Sequence, residues 1–186
     1  MRKAGSGKHR KTQTKLAMSK IKNLEALLVD ELKDLYSAET QLIKALPKMA
    51  DAATNPELKK AFEGHLVETR GHADRVSKAL KLLEASSSGK TCHAMRGLVE
   101  EGSEAIDADA PEAVRDANLI GAAQRVEHYE MAAYGCARAF ALRLGRSEVA
   151  DLLQQNLDEE GAANKKLTGI AATVNDEAFS LAGAEA

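Results

Sequence analysis

Apolar residues recur along this chain at helical spacing, about 100° per residue, over four long stretches and one short one. In the first, Leu28, Leu32, Leu35, Leu42, Ile43 and Leu46 share one face and predict a helix over residues 21–53. Asn55-Pro56-Glu57 then ends one helix and starts the next. Asparagine caps, proline suits a first turn where its missing N–H is not needed, and glutamate complements the helix dipole. The second helix runs to about Ala85 with Leu58, Phe62, Val76, Ala79 and Leu83 inward, and Ser86-Ser87-Ser88-Gly89 breaks it. Residues 92–106 read as a short helix, and a turn over 107–111 leads into a long one from Glu112 to Leu144. Gly145 stops that helix, and Ser147 is placed to cap the last, which the periodicity carries to about Val174. No stretch combines β-branched residues with period-two alternation, so no strand is predicted.

The chain is therefore read as all-α. Tight turns join the first two long helices and the last two, whereas residues 86–111 form a long link between the pairs. A helix of ~30 residues is ~45 Å long at 1.5 Å per residue. A half-helical link of that size can run most of this length. The pattern predicts a ferritin-like four-helix bundle with a short extra helix in the crossover between long helices two and three. It divides the chain into a tail over 1–20, the bundle over 21–175 and a frayed C-terminal tail over 176–186.

Charge changes the picture at one end only. Residues 1–20 carry seven basic and no acidic side chains, so the rest of the chain, with 19 basic and 28 acidic, is distinctly negative. A basic tail of this kind is expected to be disordered and solvated, with contact to nucleic acid as its alternative use. Translation beginning at Met18 instead of Met1 would remove most of it. No apolar run is long enough for a signal peptide or a membrane span, which makes a cytoplasmic protein the default expectation. Cys92 and Cys136 fit no metal-binding spacing and are expected to be reduced, buried and inert.

The chemistry lies in acids that occupy positions where leucine is expected. Glu39 falls in the middle of the first helix's Leu/Ile face, and a lone buried carboxylate costs several kcal/mol, of order, unless it is paired, protonated or bound to a metal. Glu127 and Glu130, at i and i+3, share a face with Ile120, Ala123, Met131 and Tyr134, where two like charges repel unless a cation lies between them. Glu68 is read as inward on the second helix, flanked by His65 and His72, and Glu159 and Glu160 straddle the apolar face of the last. Glu39 to Glu68 and Glu130 to Glu159 are both steps of 29 residues, and the same overlay pairs Glu57 with Glu148, Leu58 with Val149 and Leu66 with Leu157. A repeated helix hairpin would place Glu39, Glu68, Glu130 and Glu159 at one level of the bundle.

Four-helix proteins with two bound irons or manganese ions use a Glu from each of two helices and a Glu-x-x-His from each of the others. This chain departs from that spacing, since Gly71 and Ala162 stand where the histidines would be. The predicted ligands are therefore Glu39, Glu68, Glu127, Glu130 and Glu159, or Glu160 in place of Glu159, with His65 or His72 as nitrogen donor. An oxygen-rich set leans toward hard ions. The competing reading pairs these acids with arginines, for which Arg70, Arg75, Arg125 and Arg138 are available.

Asp34-Leu-Tyr-Ser-Ala-Glu39-Thr-Gln-Leu, His65-Leu-Val-Glu68-Thr, Cys92-His-Ala-Met-Arg-Gly-Leu-Val-Glu-Glu101 and Ala122-Ala-Gln-Arg-Val-Glu-His-Tyr-Glu130 resemble the YciF-like family of bacterial stress proteins. The resemblance covers about residues 22–170. It implies a ferritin-like fold, a homodimer, a dinuclear metal site and a link to stress responses. The expected cofactor is two metal ions, iron first and manganese second. With iron, oxidation of Fe(II) by oxygen or peroxide would be the natural activity, and Tyr36 would line the pocket. The alternative is a non-enzymatic structural or interaction protein, with acids in buried salt bridges and a basic tail on nucleic acid.

Overall fold

Four of the five helices carry a stripe of buried residues at alternating steps of four and three. The computed structural model describes residues 21–182, so the expectations for the basic tail and for a start at Met18 lie outside the described residues. Helix α1 (Leu24–Ala52) buries positions 28, 32, 35, 39, 42, 46 and 49; α2 (Pro56–Leu82) buries 58, 62, 65, 69, 72, 76 and 79. Helix α4 (Glu112–Arg143) buries 116, 120, 123, 127, 130, 134, 137 and 141. Helix α5 (Ser147–Ala182) follows with 149, 153, 156, 160, 167, 170 and 174, where half-buried Ala163 completes the series. This rhythm is the one that lets long helices pack side by side as a bundle.

Helices α1 and α4 pack against each other and each against its hairpin partner, α2 and α5, which also touch. The short α3 (His93–Asp107) lies over α1 and α4. The crossover tracks α1: Lys90 pairs with Asp30 and, at 3.5 Å, Asp34; the Cys92 N–H donates to Ser37 Oγ at 2.9 Å; Gly102 faces Met49. The all-α ferritin-like bundle with its extra helix in the long link is thus the observed architecture. Asp116, at the start of α4, is 1% exposed and ties the two hairpins together. Its carboxylate accepts the N–H of Thr54 (3.0 Å), the hydroxyl of Thr54 (2.7 Å) and the N–H of Asn55 (2.7 Å) in the α1–α2 turn.

Helix ends follow their caps. Asn55 Oδ1 accepts from the N–H groups of Glu57 and Leu58, with Pro56 in the first turn, as the sequence predicts. Helix α2 ends at Leu82, short of Ala85, because Glu84 turns left-handed (φ 55°) and the Ala85 N–H folds back onto the Leu80 carbonyl at 2.9 Å. Gly145 (φ 70°) makes the same closure after α4, with the Arg146 N–H on the Ala141 carbonyl. A glycine adopts this backbone freely, whereas a glutamate is strained there. Glu84→Gly is therefore expected to raise stability by about 0.5–1 kcal/mol in urea melts, the loosened unfolded chain offsetting part of the gain. Ser147 is the first residue of α5, not its cap, and the helix continues past Val174 to Ala182, a stretch that holds no glycine or proline.

The core is in two halves. One gathers around Leu42, Leu46, Phe62, Met95 and Ile120, the other around Leu28, Leu32, Val76, Tyr134 and Leu153. Between them runs a layer of buried polar residues: Glu39, His65, Thr69, His72, Glu127, Glu130, Asn156 and Glu160. Both cysteines are free. Cys92 is buried and its thiol accepts the Met95 N–H, capping α3, but Cys136 is exposed, against expectation. It precedes Ala137 on the stripe, which turns it outward.

Candidate metal centre

Each helix brings its polar residues to the layer through the stripe. From α1 comes Glu39; from α2, two turns apart, His65 and His72; from α4, on adjacent turns, Glu127 and Glu130; from α5, Glu160. These atoms converge into two groups: His65, Glu127, Glu130 and Glu160, and Glu39, His72 and Glu160, each with its ligand atoms within 4.8 Å of one another. Glu160 belongs to both. Its Oε2 lies 3.6 Å from His65 Nε2 and its Oε1 2.8 Å from His72 Nδ1. Glu127 Oε1 approaches His65 Nε2 at 3.5 Å, and Glu39 Oε2 approaches His72 Nδ1 at 3.8 Å.

The two histidines are held from outside. His65 Nδ1 meets Glu68 Oε2 at 3.2 Å, and His72 Nε2 meets Glu159 Oε2 at 2.8 Å. With a proton on each of those outer nitrogens, the inner nitrogens present lone pairs to the layer. A carboxylate behind a metal-binding histidine does the same work in metal sites. Arg75 donates to both Glu159 and Asn156, and the Tyr134 hydroxyl donates to Glu39 Oε1.

Of the sequence-predicted residues, Glu39, His65, His72, Glu127 and Glu130 meet in the layer. Glu68 and Glu159 do not: their side chains are 50% and 37% exposed, each behind a histidine. Glu160 takes the inward place, and the expected cluster of Glu39, Glu68, Glu130 and Glu159 does not form. The reason is one residue of phase. The hairpins do repeat, since adding 91 carries Ala52 to Arg143 and Pro56 to Ser147, but Thr69 and Glu160 continue the stripes, and their predecessors point about 100° away. Tyr36 packs at the edge of an apolar half, and Tyr134 is the tyrosine at the layer. The arginine pairing holds only at the rim. Among the described residues, Glu159 pairs with Arg75, and no Lys or Arg reaches Glu39, Glu127, Glu130 or Glu160. His128 is exposed, and its ring bonds the Gln124 carbonyl.

Charge in this layer is badly balanced without cations. Burial, then the facing Glu160 carboxylate, raises Glu39 to about 7. Burial and the neighbouring acids push Glu127 and Glu130 well above the usual carboxylate range. For His65, burial opposes the charge, but Glu68, Glu127 and Glu160 outweigh it and raise the imidazole to about 9. Burial likewise opposes ionisation of Glu160, and His72 and His65 hold it low. Both oxygens of Glu130, Glu160 Oε2, and inward-facing atoms of Glu39, His65 and Glu127 are buried without a hydrogen-bond partner. Four carboxylates and two imidazoles around one gap are a fitting donor set for two metal ions.

Residues 23–179 match a protein family described as a domain of unknown function, DUF892. The chain belongs to that family. It is 44% identical over 155 residues to Protein YciF of Escherichia coli (strain K12), covering 81% of this chain and 92% of that one. The crystal structure of the E. coli stress protein YciF superposes with a TM-score of 0.81 at 41% identity, covering 84% of this chain and 99% of that one. YcfI from Rhodopseudomonas palustris gives 0.77 at 42% identity, covering 81% and 96%. These matches bear out the YciF-like resemblance of the motifs. A structure described as ferritin like, diiron-carboxylate proteins, from Bacillus anthracis, superposes at 0.63 with 16% identity, covering 81% of this chain and 99% of that one; it speaks for the fold alone. Among the described residues no helix is long and apolar enough to cross a membrane.

Proposed function

We propose that this family member binds two divalent metal ions in the polar layer, iron first and manganese as the alternative. The observation that carries the reading is the set of buried, unpartnered oxygens and nitrogens that face one another there. Orphaned buried polar groups cost about 1–3 kcal/mol each, and more when charged, so a native core does not keep six of them together without a partner. Two divalent ions would neutralise the four carboxylates and leave both imidazoles neutral.

His65, Glu127, Glu130 and Glu160 would hold one ion, and Glu39, His72 and Glu160 the other, with one Glu160 oxygen turned to each. Iron so held supplies one-electron redox chemistry toward oxygen or peroxide. The chain's own residues prepare the place for it. Glu68 and Glu159 keep a proton on the outer nitrogens of His65 and His72. Tyr134 occupies one oxygen of Glu39 and leaves Oε2 facing inward. The apolar halves on either side limit water and strengthen each charge interaction. A role in stress responses follows the description of YciF as a stress protein.

Protein purified without a metal-affinity tag and reconstituted with Fe(II) without oxygen, or with Mn(II), is expected to retain close to two ions per chain by elemental analysis. Retention of none from either ion overturns the reading.

A further inference from the structure

The two ends of the polar layer are built alike but closed differently. At each, a histidine is backed by a partly exposed glutamate. At the His72 end, Arg75 pairs with Glu159 and also bonds Asn156, so the glutamate is anchored and the layer is sealed. At the His65 end, Glu68 is half exposed, and its one polar contact among the described residues is the His65 ring. Beside it a cleft of about 90 Å³ opens between α2 and α5. Its walls include Ala61, Ala162 and Ala163, Lys166 stands with Glu68 at the outside, and His65 and Glu127 form its inner end.

Exposure follows this cleft. His65 is 7% and Glu127 3% exposed, whereas Glu39, His72, Glu130 and Glu160 are at 0%. The cleft has room for a few water molecules, at about 30 Å³ each in the liquid. That is room for a small ion still carrying part of its hydration shell.

Building on the proposed metal centre, we propose that this α2–α5 cleft is the route by which divalent cations reach the layer. Glu68 meets the ion at the mouth, and His65 and Glu127 are the first buried donors to take it. A half-exposed carboxylate one turn from a buried imidazole can exchange water for ligand in steps, which spares the ion full dehydration before a donor is reached. Lys166 restrains the mouth by like-charge repulsion. The small alanine side chains keep it wide.

The test is the rate of filling, read separately from the amount bound. Chelator-treated protein is mixed with Co(II), and the visible absorption of the bound ion is followed by stopped flow. Ala162→Leu, on an exposed wall position, should fill about tenfold more slowly, because the ion must wait for the helices to part, yet reach the same two ions per chain. Lys166→Glu should fill several-fold faster, with the gain lost in high salt. Neither residue is among the six donors. An unchanged rate in Ala162→Leu, or a slower rate in Lys166→Glu, overturns the route while leaving the centre standing. A wild type that binds no Co(II), Fe(II) or Mn(II) at any time overturns the centre itself.

Discussion

Glu130→Ala is expected to leave the chelated protein at least as stable as the wild type and to strip it of metal-dependent stabilisation. Glu130 is fully buried, and neither of its oxygens has a hydrogen-bond partner. Burial and the facing acids Glu39, Glu160 and Glu127 all raise its pKa. In the metal-free protein it therefore either carries an unpaired charge or holds a proton at a cost. Removing it lifts a penalty of about 1–3 kcal/mol per orphaned group, and the cavity left behind offsets part of that gain. The net change in chelator should fall between neutral and about 2 kcal/mol more stable. With metal the sign reverses. Ion at a thousandfold over its Kd adds about 4 kcal/mol to the wild type, and a mutant missing one donor should gain little of it. Urea melts of both proteins, each with chelator and with Mn(II), measure all four terms. Had Glu130 been half of a buried ion pair, its loss would cost about 3–5 kcal/mol with or without metal, and that result would sink the metal-centre reading.

Stability of the metal-free protein should fall as pH rises from about 4.5 to about 9, and metal should reverse the slope. Glu39 is raised from 4.5 to about 7, so its favourable contribution is complete below 4.5 and gone above 7. Glu127 and Glu130 shift in the same direction. His65 is raised from 6.5 to about 9, so the stability it contributes is present below 6.5 and lost by about 9. His72 also moves upward. Glu160 and Glu68 are lowered, and they pull the other way only where the pH drops below the ordinary carboxylate value. The windows for Glu39 and His65 together give a decline of several kcal/mol, of order, with its steepest part near neutrality. Metal binding requires the same groups deprotonated, so its contribution grows with pH. Thermal melts between pH 5 and 9 in chelator should show Tm falling, and in Mn(II) flat or rising. A metal-free Tm that climbs across this range would contradict the proposed electrostatics of the layer.

The fold was readable because its signals are local. Leucine spacing, the Asn55-Pro56 turn and Gly145 each act within a few residues, and the length of the 86–111 link was enough to permit a crossover. Glu39, Glu127 and Glu130 were legible as ligand candidates because each interrupts an otherwise apolar face. Glu68 and Glu159 were misplaced for a physical reason. A face defined loosely by its apolar residues cannot separate neighbours that differ by a third of a turn. Counted from Val149 in steps of four and three, the series passes through Leu153 and Asn156 and lands on Glu160. The same count from Leu58 lands on His65, Thr69 and His72 and leaves Glu68 aside. Polar members such as Asn156 and Thr69 hid this rhythm from a reading that tracked apolar residues alone. The Asp116 tie between hairpins left no sequence signal, since its partners, two backbone N–H groups and the Thr54 hydroxyl, lie 61 and 62 positions away.

The matched hairpins bear on the symmetry of the centre. A perfect duplication would put the same residue at 69 and at 160 and make the two halves of the layer interchangeable. Here Thr69 turns its hydroxyl back to the His65 carbonyl, and Glu160 alone reaches the middle. One carboxylate must then serve both halves, which leaves four donors on one side and three on the other. The two positions are distinguishable by construction, and the difference lies in the repeat itself, where His65, Thr69 and His72 answer to Asn156, Glu160 and Ala163, before any ion or substrate arrives.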